Sequence, residues 1–334
     1  MKNLQDRKPC WQTLGMNIPD GSTTDEIMEI IGWDYKVEIT DAVVELPVNP
    51  LESLSIPFPN KRVTYRTDSF TPLGIVGDRY HVLQNHEVMN LVDALIGQEW
   101  QPLCGGTMRE GATSWIVGKL PYTPKSGEFE PNLAVQNSFD MSSGLRFANT
   151  PLRPTCNNVV QFMMKNSSFV LKHSKHMDVR FNEARNALNL ATAYVEKLDE
   201  EIERLLSISV EVPDAQVLVN KIITVHSDVI PGQNLGKNYE KISDRAVAIR
   251  QQKQDDILRH WLTTESIEDI RFTGWGWINA VNEMEQWTVT SKRNSRLMAE
   301  KTLASALNSV GANNWTNIAY RSLRDQSFKQ AVKR

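Results

Sequence analysis

The sequence predicts an α+β protein: an N-terminal antiparallel β-sheet with packed helices, followed by an all-α C-terminal region. Three observations lead there. The first half carries β-branched, partly alternating runs separated by turn residues. The second half carries apolar residues at spacings of three and four. The strands also come first and the helices after, which argues against a doubly wound parallel sheet.

The elements follow in order. "YKVEITDAVVEL" (35–46), "KRVTYRTD" (61–68) and "PLGIVGDRY" (72–80) read as strands. "NHEVMNLVDALIG" (85–97) reads as a helix, with Val88, Leu91, Val92 and Leu95 on one face, Asn85 as cap and Gly97 as stop. Residues 100–121 form a hairpin around Glu110-Gly111, and "PNLAVQNSFD" with "GLRFANTPLRP" forms another across Met141 to Gly144. A helix is expected from about Asn157 to Lys165, capped by Thr155. Residues 178–210 form the clearest helix, with Phe181, Ala184, Leu188, Ala191, Val195, Leu198, Ile202 and Leu205 in a heptad seam. That seam fits either a helix lying on its own domain or a contact with another subunit. Pro213 ends the element. Further helices are expected at 214–225, 243–263, 274–287, 294–310 and 314–331, with 226–238 as a loop rich in Gly, Pro and Asn.

This order divides the chain into an α+β core at 1–176, a long heptad-patterned helix with its successor at 177–230, and a helical C-terminal region at 231–334. The length of 334 residues and 40% hydrophobic content suffice for a buried core. Cys10, Cys104 and Cys156 are too few and too scattered for a disulfide framework, which predicts a reducing cytoplasm. The start lacks the apolar core of a signal peptide, and no apolar run has the length of a membrane span, so no membrane partner is expected.

Catalytic patterns are missing. There is no phosphate-binding glycine loop, no nucleophile elbow and no H-E-x-x-H zinc motif. "GWGW" (274–277) is expected to pack two indoles in a helical core. His173 and His176 share H-x-x-H spacing, but Lys172 and Lys175 beside them would repel a cation. Asp78, Asp140 and Asp178 fall into no nuclease pattern, and no base is placed for Cys156. The expectation is a protein that is not an enzyme and uses no cofactor and no metal.

Charge is uneven. The total is −3, yet residues 141–180 carry Arg146, Arg153, Lys165, Lys172, Lys175 and Arg180 against Asp178 alone, a net of +5. Residues 291–334 carry a net of +7, which leaves the remainder near −15. In 136–166 the basic residues combine with Gln136, Asn137, Ser138, Asn149 and Thr150, with Phe139 and Phe147, and with the expected helix start. Helix starts offer unpaired N–H groups to phosphate, and aromatic rings stack on bases. The candidate nucleic-acid-binding residues are therefore Arg146, Phe147, Arg153, Thr155, Asn157, Asn158, Lys165, Lys172 and Lys175. Turn-capping amides and a plain strand-to-helix connection are the alternative reading of the same residues.

Residues 65–97, 104–121 and 133–160 resemble the phage/plasmid-like family called domain of unknown function 932. The resembling elements are Gly74 to Asn85, Gly105 to Leu120 and Asn137 to Asn158, and the resemblance spans most of 10–210. The family's usual His is Phe139 here and its usual Gly is Met141, so no role for that His carries over. The resemblance implies a bacteriophage or plasmid protein of DNA metabolism in the cytoplasm of a bacterial host cell. More distantly it implies similarity to single-strand annealing recombination proteins, with a curved sheet against a helix and a ring or filament assembly.

The expected function is ATP-independent binding and annealing of single-stranded DNA in DNA recombination, by a homo-oligomer that works with host or phage DNA-metabolism proteins. The alternative is a mobile-element protein that binds and antagonises a host defence or replication protein. A metal-dependent nuclease is a third and less supported reading.

Overall fold

A computed structural model describes residues 8–49, 52–97, 99–155, 157–159, 168–171, 177–224, 244–288 and 315–324. Among them the α+β order holds: sheets and short helices come first, and the elements from Met177 onward are helical.

The central sheet has six antiparallel strands in the order β1-β5-β6-β7-β8-β11. These are β1 (Met16–Asn17), β5 (Gln101–Met108), β6 (Thr113–Lys119), β7 (Asn132–Ser138), β8 (Leu145–Asn149) and β11 (Ser168–Leu171). Both expected hairpins are present. β5 and β6 turn through Glu110 and Gly111, both at positive φ. β7 and β8 pair from Leu133↔Asn149 to Gln136↔Arg146.

Strand alternation sends side chains to two faces, and both are covered. Ile116, Leu133, Val135, Leu145 and Phe147 enter the main core. Trp115, Val117, Ala134 and Ala148 pack with Trp11 of α1 (Cys10–Leu14) and with Leu152 and Val159. Leu152 and Val159 lie on a small pair, β9 (Leu152–Arg153) with β10 (Asn158–Val159).

On the main-core face lie α2 (Thr24–Ile31) and α3 (Asn85–Ile96). The helix expected at 85–97 is therefore found, although Gln84 occupies the cap position, its backbone N–H donating to Glu87. α4 (Met177–Leu206) buries Leu188, Ala191, Val195, Leu198, Ile202 and Leu205 in the same core. From 188 onward the heptad seam is thus filled from within the chain. α5 (Val212–Ile222) has Pro213 in its first turn, where the missing N–H costs nothing. α6 (Asp244–Thr263), α7 (Gly274–Glu283) and α8 (Trp315–Arg324) complete the bundle, with Trp275 and Trp277 of "GWGW" fully buried. The same core cluster runs from Ile18 through the sheet to Leu323, across both sequence boundaries at 176 and 230.

A second sheet, β2-β3-β4, stands apart. It consists of β2 (Val37–Asn49), β3 (Glu52–Arg66) and β4 (Pro72–Gly77). Its base is anchored by Tyr35, Val37 and Phe139, with Leu73 and Val82 against them. β4 pairs with β3 only over Lys61 to Tyr65, so beyond Lys61 the hairpin continues as two strands alone.

Candidate functional site

Over 136–150 the amides, hydroxyls and rings of the expected cradle are turned inward. Gln136, Asn137, Ser138, Asn149 and Thr150 are all buried, and so are Phe139 and Phe147. Asn137 donates to the Leu83 carbonyl at 2.8 Å, and Ser138 to the Ser143 carbonyl. Phe147 sits in the main core and Phe139 beneath the second sheet, so neither ring is open to a base.

Arg153 corrects the expectation most sharply. Its side chain is 1% exposed. Nε donates to Glu128 at 3.2 Å, one Nη donates to the Ser266 carbonyl, and the other lies 3.8 Å from Asp269. Glu128 also accepts from Trp275 Nε1 at 2.8 Å. The guanidinium therefore fastens β9 to the helical half and is committed to carboxylates. A forked donor suits this role because it can bond several acceptors held in different directions.

The expected helix start is replaced as well. Asn157 has φ 54°, and Asn158 and Val159 run extended as β10. Over those residues no row of unpaired N–H groups forms. Thr155 is exposed and Asn157 half-buried. Arg146 is half-buried on β8, where burial lowers its pKa and Nε donates to Ser143 at 3.3 Å. Lys165, Lys172 and Lys175 lie outside the described residues, as do His173, His176, Cys156 and the rest of the expected helix.

No group of three or more potential metal ligands occurs among the described residues. His260 Nε2 lies 3.0 Å from Glu283, which also accepts from the Ser266 hydroxyl. Glu283 stands between the other two, so the histidine does not touch the hydroxyl as an activating base would. All three are buried. Cys10 and Cys104 are buried too, which pushes both thiols up to about 12 and leaves them protonated.

The distinctive exposed feature is the outer part of the β2–β3 hairpin. Cross-strand pairs share a face. Val44 pairs with Ile56 and Leu46 with Leu54, making one aliphatic face. Those four residues are 41%, 42%, 46% and 53% exposed respectively. The opposite face carries Val43 with Pro57, Glu45 with Ser55, and Pro47 with Ser53. Val48 and Phe58 add further exposed apolar surface. Residues 42–60 contain Glu45 and Glu52 and no Lys or Arg. An amphipathic ribbon of this kind would bury one side in a sandwich, yet here that side is open.

Both strands of the ribbon carry prolines. Pro47, Pro57 and Pro59 lack N–H groups, which blunts strand addition along its edges. Contact through the face is left. The strands expected at 35–46 and 61–68 leave 47–60 without an element, although the alternation of Leu54, Ile56 and Phe58 with Ser53, Ser55 and Pro57 marks it.

A second surface lies on the helical half. A groove of about 440 Å³ is lined by Ile222, Ile223, Thr224, Arg250, Lys253 and Trp315. Lys253 Nζ stands 6.0 Å from the centre of the Trp315 ring, and Arg250 donates to the Thr224 carbonyl at 3.2 Å. Ile249, next to Arg250 on α6, is exposed. Ile222 and Ile223 are themselves buried, so what the groove exposes is the edge of the Trp315 ring with the polar groups of Thr224, Arg250 and Lys253.

Among the described residues no helix is long and apolar enough to cross a membrane. No curated protein and no solved structure matches this chain. A family model described as domain of unknown function (DUF932) matches residues 72–307, reaching further into the helices than the sequence resemblance did and beginning after the ribbon. With more than half of its length under that model, the chain belongs to the DUF932 family.

Proposed function

We propose that this chain is a non-catalytic interaction protein whose working part is the β2–β3 ribbon. One observation carries the reading: Val44, Leu46, Leu54 and Ile56 form a continuous aliphatic face that is left open. Folding alone gives no reason to place them there, since the ribbon beyond Lys61 contributes nothing to the core clusters. A two-stranded ribbon gains its stability by laying such a face on another surface. This reading is the closer of the two expected functions to a protein that engages a host defence or replication factor.

The test is Leu46→Ser combined with Ile56→Ser. Melting should stay within about 0.5 kcal/mol of wild type, as for exposed positions. Protein that co-purifies with the wild-type chain should be lost. A variant that keeps every bound protein refutes the reading.

Single-stranded DNA binding is a second reading, now motivated by the groove instead of the 136–166 stretch. A Trp315 ring beside Arg250 and Lys253 offers a stacking surface next to phosphate-binding cations. Binding of an oligothymidylate should weaken with salt by about 0.7 log units per log unit for each phosphate neutralised. Lys253→Ala should flatten that slope. An absence of binding near 50 mM salt would end this reading.

A further inference from the structure

We infer that the open face of the ribbon is covered by the same face of a second copy, the two ribbons lying antiparallel about a two-fold axis. The inference rests on the ribbon being a docking element and names what docks on it.

The face suits a copy of itself. Leu54, Ile56 and Phe58 alternate along β3, and Val44, Leu46 and Val48 along β2. The two rows stand side by side, Val44 beside Ile56 and Leu46 beside Leu54. None of these side chains is charged. Glu45 and its neighbours Ser53 and Ser55 belong to the other face and stay in water. The ribbon thus has one side to bury and one to keep wet. A two-fold contact buries that one side on both copies and closes the assembly.

Area is sufficient for such a contact. Val44, Leu46, Val48, Leu54, Ile56 and Phe58 are between 41% and 64% exposed. Apolar residues of this size expose roughly 150–200 Å² each when free, so the face offers on the order of 500 Å². Two faces together bury about 1,000 Å², the lower bound for a specific interface. A contact of that size makes an exchanging dimer.

Charge sets the direction. At the outer end of the ribbon the exposed Glu52 accepts from Asn49 at 2.8 Å. At the inner end the strand breaks at Asn60, where φ is 57°. The exposed Lys61 follows, then Arg62, which faces Asp41 at 3.8 Å. Laid antiparallel, Glu52 of one copy lies over the stretch from Phe58 to Lys61 of the other, and opposite charges approach. Laid parallel, the two Glu52 carboxylates would come together, a like-charge contact.

The experiment uses the full chain in a Cys156→Ser background, where Cys10 and Cys104 are buried and unreactive. By sedimentation the wild type should be a dimer at tens of micromolar, and Leu46→Ser with Ile56→Ser a monomer. Leu54→Cys and Phe58→Cys variants, mixed under mild oxidation, should crosslink to each other, with little product from Phe58→Cys alone. Glu52→Lys and Lys61→Glu should each weaken self-association about tenfold at low salt, and combining them should recover most of it. That recovery separates a lost contact from a misfolded variant.

A wild-type monomer across the tens-of-micromolar range overturns the inference. So does a dimer that survives in Leu46→Ser with Ile56→Ser, or one whose main crosslink joins two Phe58→Cys copies. If the chain is monomeric but the ribbon variant loses a different bound protein, this inference fails and the docking role of the ribbon stands. If the ribbon variant changes no binding of any kind, both fail.

Discussion

The β7–β8 hairpin and the outer β2–β3 ribbon are built from the same period-two alternation, and they use it in opposite ways. In β7–β8 the amides and hydroxyls are inside and both faces are covered. In the ribbon the aliphatic residues are outside and one apolar face is open. Some of those buried groups are bonded locally, as Asn137 is to the Leu83 carbonyl and Ser138 to the Ser143 carbonyl, while Asn132, Gln136 Oε1 and the Thr150 hydroxyl are buried without a hydrogen-bond partner among the described residues. An open aliphatic face has no such local explanation. Of the features singled out, the ribbon's apolar residues lie at the surface, whereas Arg153, Phe139 and Phe147 lie inside.

The comparison can be broken most decisively at Arg153. Arg153→Ala empties a fully buried site and leaves the partly buried Glu128 beside Trp275 without its cation, and the loss should be about 3–5 kcal/mol by denaturant titration. A change under 1 kcal/mol would mean the guanidinium is not the fastener between the halves. Leucine-to-alanine truncation then compares the two regions directly. Leu198→Ala, in the core, should cost about 2–5 kcal/mol. Leu46→Ala, on the ribbon, should cost less than about 0.5 kcal/mol in the dilute chain. Equal costs would show that the ribbon is packed within its own chain.

Asp199 sharpens the comparison through pH. Burial pushes its pKa up, but hydrogen bonds from Ser126, the Lys125 and Ser126 backbone N–H groups and Tyr122 outweigh that and hold it below the usual carboxylate value. A depressed folded pKa gives stability that is present above the unfolded value of about 3.9. That stability is lost as pH falls through the folded value. Asp199→Asn should therefore lower stability by about 1–3 kcal/mol at neutral pH, with the gap to wild type closing in acid. A gap that is constant with pH would rule out the charge as its source. On the ribbon the exposed Glu52 carboxylate accepts from the Asn49 side chain at 2.8 Å, and Glu45→Gln, at an exposed position, is the smallest effect, within about 0.5 kcal/mol at any pH.

Much of the fold was readable from the sequence. The two hairpins, the 85–97 helix, the long helix and the buried "GWGW" indoles rest on strong alternation or heptad spacing that tertiary packing reinforces. α2 was passed over, although Thr23 and Glu26 form a capping box that marks its start. The candidate site was less readable. Arg153-Pro154-Thr155 looks like the approach to a helix, but whether an arginine meets phosphate or Glu128 depends on a partner 25 residues away. A net positive segment says nothing about which way its side chains point. The outer ribbon fell between the strands expected at 35–46 and 61–68, because Pro57 and Pro59 interrupt the β-branched pattern of β3.

The Arg153 fastening also bears on how the molecule could be dissected. A fragment ending near residue 176 would carry a guanidinium stripped of Ser266 and Asp269, and a sheet face robbed of the tryptophans and leucines laid over it. Such a piece should clump. A protease cut between β11 and α4 in the intact molecule should instead leave two polypeptides that travel together until denaturant parts them.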